Sequence, residues 1–303
     1  MFDKSGILMH KNFQSLTLTS MEEKWDIIIT NRSKLFDIDF RELWRYRDLV
    51  LMYVKRDFIT FYKQTILGPI WYFIQPIFTT IMFMFVFGGI AGISTDGVPQ
   101  AVFYMGGLVC WNYFSDCFSR SNNVFSSNKG IFGKVYFPRL VVPIAGVISN
   151  LIKLGIQFSL FLAVYIYFIC QGVHFNFNAT VLLVPLLIVM MAALGLGTGM
   201  LISSLTIKYR DLNFLVSFGL SLLMYATPVI YPLSILKASH PQYLWVLLIN
   251  PLTAILETFK YAFTGVGMFS WLYLLYSLVI TTVLFIWGLL VFNRVQRNFM
   301  DVI

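Results

Sequence analysis

Long stretches without a charged side chain alternate with short basic segments along this chain. Asp, Glu, Lys and Arg are all absent from five ranges, which are 64–95, 97–115, 154–207, 212–236 and 261–293. A helix crosses the hydrocarbon core of a bilayer with about 20 apolar residues, so each range can hold at least one spanning helix. The strands of a membrane barrel are only about 10 residues long and alternate in polarity. The pattern therefore predicts an all-α membrane protein.

The charge-free ranges predict six transmembrane helices, and the longest range holds two of them around the polar break Gln171–Thr180. The predicted spans are Pro69–Ile90, Ala101–Phe118, Val141–Cys170, Val181–Leu205, Phe214–Tyr231 and Phe269–Phe292. Between the last two spans lies an apolar stretch, Leu244–Gly265, which also carries Glu257 and Lys260. We interpret it as a re-entrant pair of short helices broken near Asn250-Pro251, because a further span there would place the basic C-terminal tail outside the cell.

Lys and Arg in the loops predict which ends of the spans face the cytosol, since short cytosolic loops are enriched in these residues. Range 119–140 carries four of them and range 206–213 carries two, whereas 91–100 and 171–180 carry none. The segment before the first span has eleven and the tail 293–303 has two. Both termini are therefore expected in the cytosol.

The N-terminal segment, residues 1–66, is predicted to be a cytosolic part that precedes the transmembrane domain of residues 67–303. A helix is expected to begin near Asp39, which can cap it, with Glu42 three residues later. Its apolar and charged side chains recur on different sides, which is typical of a helix lying in the membrane interface. Docking on protein is the alternative. Residues 1–38 show no pattern that assigns them a role.

Composition excludes the soluble classes of protein. Hydrophobic residues make up 58% of the 303 residues and charged residues 12%, against about 45–50% and about 25% in soluble domains. The net charge of +8 does not indicate nucleic-acid binding, because 11 of the 22 basic and 9 of the 14 acidic residues share the N-terminal segment. The cysteines Cys110, Cys117 and Cys170 lack a metal-binding spacing and are expected to pack.

No stretch carries the signature of a nucleotide site, a catalytic cluster or a metal site, and no cofactor is expected in this chain. The glycines of Gly195-Leu-Gly197-Thr-Gly199 lie inside the fourth span, where small residues four apart form a helix-packing face. Acids within the membrane are few, namely Asp116 and Glu257, which gives little support for a proton-coupled carrier. Lys153 is expected to snorkel to the cytosolic face or to contact an anionic substrate.

Aromatic residues account for 17% of the chain and are frequent in the first two spans. Seven of them are candidates for lining a substrate conduit, namely Trp71, Phe78, Phe85, Tyr104, Trp111, Tyr113 and Phe114. Aromatic faces can stack on the apolar faces of sugars. The alternative is lipid-facing bulk with interfacial belts of Trp and Tyr.

The basic loop after the second span contains an apolar pair, Ile131 and Phe132, between Gly130 and Gly133. An exposed apolar pair in a short cytosolic helix suits insertion into a groove of a partner protein. The alternative is a turn that touches lipid headgroups.

Several short motifs follow one another along residues 58–265. They are Tyr62–Trp71, Gln75-Pro76, Val86-Phe87-Gly88, Gly106–Phe114, Lys134–Arg139, Lys208–Leu212, Pro228–Pro232 and Asn250-Pro251. In this order they resemble the permease subunits of polysaccharide exporters of the type-2 ABC family, in particular O-antigen and teichoic-acid exporter permeases.

The resemblance implies a homodimer of six-span subunits in the bacterial inner membrane, with two separate ATPase subunits that bind ATP and Mg²⁺. The implied cargo is polysaccharide attached to undecaprenyl diphosphate. The implied coupling element, which meets the ATPase, is Ser127, Asn128, Lys129, Gly130, Ile131, Phe132, Gly133 and Lys134. The N-terminal amphipathic helix would border the lipid gate, and Arg56 and Lys63 are candidates for contacting the diphosphate.

Other functions remain as alternatives at this point. The same fold could export a teichoic acid, a capsule, a drug or a small lipid. An intramembrane glycosyltransferase would need acidic or histidine clusters at the membrane face, and a secondary carrier would need ionisable relays within the spans. The sequence shows neither pattern.

Overall fold

The computed structural model describes residues 40–63, 68–135, 137–176, 178–206 and 211–302, and every regular element in these ranges is a helix. The first seven α-helices, α1 to α7, are Phe40–Arg45, Arg47–Lys63, Trp71–Phe83, Gln100–Asn122, Val124–Ser127, Lys129–Phe132 and Val141–Cys170. The other six, α8 to α13, are Val184–Thr206, Leu212–Tyr225, Leu233–Ser239, Leu244–Ile249, Pro251–Thr264 and Trp271–Val302. A π-helical stretch, Met84–Ile90, extends α3, and 3₁₀ turns at Gly68–Ile70, Ala179–Leu183 and Pro241–Tyr243 precede α3, α8 and α11.

Helix α4 forms the centre of the subunit. It packs against α3, α7 and α8, and 16 of its 23 residues are buried. The stretch Val102–Trp111 is buried on all sides. Because a helix that is apolar and covered all round has no face left for lipid, α4 serves as the axis around which α3, α7 and α8 pack, while α13 packs on α8.

The glycines of α8 let three helices approach closely, which confirms the packing role predicted from the sequence. A Cβ atom at Gly199 would lie 2.6 Å from Ser121 Cβ and 2.7 Å from the Phe118 carbonyl oxygen, both in α4. A Cβ atom at Gly197 would lie 2.6 Å from Phe285 Cα in α13. Small residues permit this kind of backbone contact between membrane helices, so α8 is held tightly on two sides.

The prediction of six spans is not confirmed. Among the described residues, four helical segments are long and apolar enough to cross a membrane, namely Trp71–Ile90, Val141–Cys170, Ala179–Thr206 and Trp271–Gln296. Helix α4 has the length of a span, but its polar side chains lower its mean hydropathy. Helix α9 has 14 residues and extends about 21 Å, whereas the hydrocarbon core is about 30 Å thick. The chain turns after Tyr225 because Pro228 and Pro232 cannot continue a helix.

The predicted break at Asn250-Pro251 is confirmed. The segments Pro241–Ile249 and Pro251–Thr264 meet there at 100°. The Asn250 side chain accepts a hydrogen bond of 3.1 Å from the Leu252 backbone N–H, and Pro251 occupies the first position of α12, where its missing N–H costs nothing. If the bent pair is one broken span, the candidate spans number five; a re-entrant pair remains a prediction.

The predicted N-terminal helix is divided at Tyr46 into α1 and α2. Val50 and Tyr53 of α2 are buried, so this helix docks on protein, as the alternative interpretation held. Other large apolar side chains, including Trp44 and Leu51, are exposed. A location of this second face in the membrane interface is not confirmed, and the predicted cap Asp39 lies outside the described residues.

Candidate functional site

A small apolar core, distinct from the large one around α4, joins α2 to the segment that contains the predicted coupling element. Its buried residues are Val50, Tyr53, Val124, Phe125, Phe132, Phe137, Leu140, Val141, Ala145, Leu196, Met200, Leu289 and Phe292. The ring of Phe125 in α5 stacks on Phe292 of α13, with 4.8 Å between centroids. The ring of Phe132 lies between Phe125 and Phe137, at centroid distances of 6.2 and 5.7 Å. These rings fix α5 and α6 to the ends of the long helices.

The predicted coupling element, residues 127–134, forms α6 and its two flanks. Ile131 is 38% exposed and Val135 is 59% exposed, but Phe132 is only 5% exposed. The prediction of an exposed Ile131–Phe132 pair is therefore wrong for Phe132. Adjacent residues on a helix do not share a face, so the small core takes Phe132 while Ile131 points outward. The guanidinium of Arg139 covers the Phe132 ring at 5.6 Å from its centroid.

A polar cavity of about 490 Å³ lies between α2, α4, α7 and the coupling element. Its charged lining residues are Arg56, Asp57, Asp116 and Arg120, and the coupling element contributes Ser127, Asn128 and Ile131. The structure thus brings Arg56, predicted to contact a diphosphate, next to residues predicted to meet the ATPase. Lys63 is exposed on the last turn of α2 and is not among the described residues that line the cavity.

Ion pairs cross the cavity wall. The Asp57 carboxylate lies 2.9 Å from Arg56 Nη2 and 3.1 Å from Arg120 Nη2, measured to its two different oxygens. Lys153 Nζ of α7 lies 2.7 Å from Asp116 Oδ2 of α4. Lys153 therefore has an acidic partner within the protein, an arrangement that neither sequence interpretation anticipated. Lys153 does not line this cavity, so the lining itself carries two cations, Arg56 and Arg120, and two carboxylates, Asp57 and Asp116.

Tyr53 connects the cavity to the small core. The Arg56 guanidinium lies 4.4 Å from the centroid of the Tyr53 ring, a favourable cation–π distance. Burial raises the pKa of the Tyr53 phenol above its ordinary value of 10.0, although Arg56 opposes this rise. Tyr53 therefore remains a neutral phenol at physiological pH, and its ring face is available to the cation.

The seven candidate conduit aromatics fall into two groups that lie in different environments. Trp71, Phe78 and Phe85 are exposed on α3 and its extension. The other four, Tyr104, Trp111, Tyr113 and Phe114, are buried in the large core. A side chain enclosed by its own subunit cannot stack on a sugar. In this conformation the seven aromatic side chains therefore do not line a single conduit. Only the three rings on α3 remain candidates.

Two buried ionisable residues in α12 had no assigned role in the sequence interpretation. Glu257 and Lys260 are both buried. Lys260 Nζ donates a hydrogen bond to the Pro228 carbonyl and lies 3.7 Å from the centroid of the Phe103 ring. Glu257 accepts a hydrogen bond of 3.1 Å from the Met268 backbone N–H. The pair fastens α12 to neighbouring segments; elsewhere in the described ranges no three His, Cys, Asp or Glu side chains converge as a metal site would require.

Residues 48–264 match the family described as ABC-2 type transporter. This range is more than half of the chain. The chain belongs to the ABC-2 type transporter family. The predicted family resemblance is therefore confirmed, and the range includes the cavity and the coupling element.

Curated relatives of this ABC-2 family member are named as export permeases or as a transport protein. The chain is 26% identical to the O-antigen export system permease protein RfbA of Klebsiella pneumoniae, over 84% of this chain and 95% of that protein. It is 27% identical to the protein of the same name from Myxococcus xanthus, over 74% of this chain and 83% of that protein. It is 26% identical to the polysialic acid transport protein KpsM of Escherichia coli, over 63% of this chain and 71% of that protein.

Family membership has direct consequences for this ABC-2 subunit. Members of the family are the membrane subunits of transporters, and the ATPase is a separate protein. Together with its apolar helices, this makes the chain a multi-pass membrane protein that works with an ATPase partner.

Proposed function

We propose that this chain is the membrane subunit of an ATP-driven exporter that moves polysaccharide linked to undecaprenyl diphosphate, of the O-antigen kind, across the bacterial inner membrane. The observation that carries the proposal is similarity to an O-antigen export permease along 95% of that protein's length. Two copies of the chain form the pathway, and two separate ATPase subunits bind and hydrolyse ATP with Mg²⁺. Both termini face the cytosol, as the distribution of Lys and Arg predicts.

In this proposal, residues 127–134 transmit the movement of the ATPase. Ile131 in α6 and Val135 just after it present exposed apolar side chains. The buried ring of Phe132 fixes α6 to the small core. A rigid short helix seated in a partner's groove passes on displacement without any chemistry in this chain.

A second copy of the chain would cover helices that its own fold leaves open. None of the 14 residues of α9, all of which the structure describes, is buried. Only 11% of the apolar window of Trp71–Ile90 is buried, and Trp71, Phe78 and Phe85 lie on this open surface. The pathway for the glycan is proposed to run along this aromatic face of α3.

The lipid diphosphate is proposed to contact Arg56 and Lys63. Arg56 supports this through its position on the polar cavity, which it shares with residues of the coupling element. A guanidinium retains N–H donors after pairing with one carboxylate, and donors of this kind make strong, charge-assisted hydrogen bonds to phosphate. Lys63 would act at the exposed end of the same helix.

A capsular polysaccharide is the second candidate cargo. It is favoured by the similarity to a polysialic acid transport protein. That similarity extends over a smaller share of both chains than the similarity to the O-antigen export permeases. The two cargoes share the proposed machinery and differ in the glycan itself.

Deleting the gene and fractionating the cells tests the proposed export. Loss of glycan from the cell surface, with accumulation of lipid-linked glycan inside, is the expected result, and re-expression of the chain should reverse it. Sugar analysis of the accumulated material then distinguishes O-antigen from capsule. Unchanged surface glycan in a strain without a redundant exporter would contradict export of either polysaccharide.

Replacing the exposed aromatics of α3 tests the proposed pathway. Trp71→Ala and Phe78→Ala should each slow glycan export several-fold, because stacking surface for sugars is lost while buried packing is unchanged. Trp287→Ala is the matched control, since Trp287 is also exposed but lies on α13. Export rates are compared at equal amounts of assembled transporter. Equal rates for all three variants and the parent would assign the α3 aromatics to lipid contact.

A further inference from the structure

One carboxylate connects the N-terminal helix to the helix that leads into the coupling element. Asp57 lies in α2 and its side chain is 11% exposed. One of its oxygens lies 3.1 Å from Arg120 Nη2, and the other lies 2.9 Å from Arg56 Nη2. Arg120 is in the last turn of α4, four residues before α5 begins. Both oxygens of Asp57 are thus occupied, one within α2 and one across to α4.

The stem of Arg120 is held in place by a glycine on a third helix. A Cβ atom at Gly146 of α7 would lie 3.3 Å from Arg120 Cβ and 3.7 Å from Arg120 Cγ. The stem therefore runs along bare backbone, which limits its rotamers and directs the guanidinium toward Asp57. Exposed ion pairs contribute little because two mobile side chains must be ordered. That cost is smaller here, since packing already orders Arg120.

A second attachment, one helical turn away from Asp57, joins α2 to the coupling element through Phe137. The ring of Tyr53 in α2 lies 6.3 Å from the ring of Phe137, which lies 5.7 Å from Phe132 in α6. Tyr53, Asp57 and Arg120 all line the cavity of about 490 Å³, whereas Phe132 and Phe137 lie in the small core. One attachment alone would let α2 pivot about it. Two attachments to different segments, Phe137 and α4, fix both its position and its rotation.

We propose that the Asp57–Arg120 ion pair is a positioning contact that makes α2 follow the coupling element when the ATPase moves it. Asp57 and Arg120 need not touch the cargo for this role. Without the ion pair, the coupling element still receives the movement, but α2 pivots on its aromatic attachment and lags behind. The export readout of this inference rests on the proposed function.

Neutral and charge-reversed variants of the pair test the inference in membrane vesicles that contain the complete transporter. Asp57→Asn and Arg120→Gln should retain ATP hydrolysis within about twofold of the parent, while glycan exported per ATP falls at least tenfold. The charge-reversed double variant Asp57→Arg with Arg120→Asp should recover part of the export, because it restores the contact to α4, and the adjacent cavity has room for the longer side chain at position 57 to turn away from Arg56. Asp48→Asn is the matched control, since Asp48 lies in the same helix, is 87% exposed and is 3.9 Å from its neighbour Arg47. Asp57→Glu, which keeps the charge, replaces Asp57→Asn if that variant does not accumulate, and should export at least half as much as the parent.

A measurement independent of cargo separates this inference from the proposed function. The thermal unfolding midpoint is measured for the purified parent, both single variants and the charge-reversed variant. Each single variant should unfold below the parent, and the charge-reversed variant should unfold closer to the parent, whatever the transporter carries. If re-expression of the parent chain restores no surface glycan to the deletion strain, but the unfolding midpoint recovers in the charge-reversed variant, the proposed function fails and the contact stands. If single variants export like the parent, or if the double variant exports no more than the single ones, the positioning role is wrong.

Discussion

Phe132→Asp is expected to prevent the subunit from folding, so that it does not accumulate in the membrane. Ile131→Asp is expected to leave the subunit folded but to prevent its association with the ATPase. Phe132 is 5% exposed and packs against Phe125 and Phe137. Truncating a buried Phe costs about 3–5 kcal/mol, and a carboxylate in the same place adds the cost of burying an unpaired charge. Total stabilities are about 5–15 kcal/mol, so this single change approaches the whole margin.

The Ile131→Asp variant tests the exposed surface of α6. It is 38% exposed, so a carboxylate at this position remains hydrated in the free subunit and becomes buried only if a partner covers the residue. The two variants are compared by their amount in the membrane and by the fraction recovered with the ATPase during affinity purification. A folded Phe132→Asp subunit would contradict the small core, and normal ATPase recovery with Ile131→Asp would move the docking surface elsewhere.

Gly197→Leu is expected to separate α8 from α13 and destabilise the subunit by more than about 3 kcal/mol. Even a single Cβ atom at Gly197 would lie 2.6 Å from Phe285 Cα and 2.9 Å from Phe285 N. Adding methylene groups to a well-packed core costs about 1–3 kcal/mol when side chains can adjust. Here the neighbouring atoms are backbone, so a whole helix has to move.

Gly155→Leu is the matched control for this variant. Gly155 also lies within a long apolar helix, α7, but a Cβ atom there would meet no atom within 4 Å. The same substitution should therefore leave the thermal unfolding midpoint in detergent within a few degrees of the parent, while Gly197→Leu should fail to accumulate or should unfold well below it. Equal behaviour of the two variants would mean that α8 and α13 are not in close backbone contact.

The spacing of charges and glycines was enough to predict most helices in this fold. A stretch without charges has to be helical in lipid, because only a helix satisfies its own backbone groups there. The small residues at Gly195 and Gly199 repeat on one helix face, so a packing role could also be derived. The break at Asn250-Pro251 could be predicted because the side-chain cap and the proline are both local sequence signals.

The candidate site was less predictable because its residues come from distant parts of the chain. Arg56 and the loop with Ile131 could be singled out in the sequence, but not their position on a common cavity with Asp57 and Arg120. No local pattern links residue 57 to residue 120. Lys153 shows the same limit, since its partner Asp116 belongs to another helix and the spacing along the chain carries no information about the contact.

The sequence by itself determined which type of protein this is. Apolar runs, basic loops and ordered motifs are local properties, and they indicated a helical membrane permease that lacks a visible nucleotide site. The tertiary structure decided which side chains are available for function. Tyr104 and Phe78 have the same aromatic character, yet one is enclosed by its own subunit and the other is exposed. Burial depends on which helices pack around a residue, and the energetics of that packing involve the whole subunit rather than the neighbouring residues in the chain.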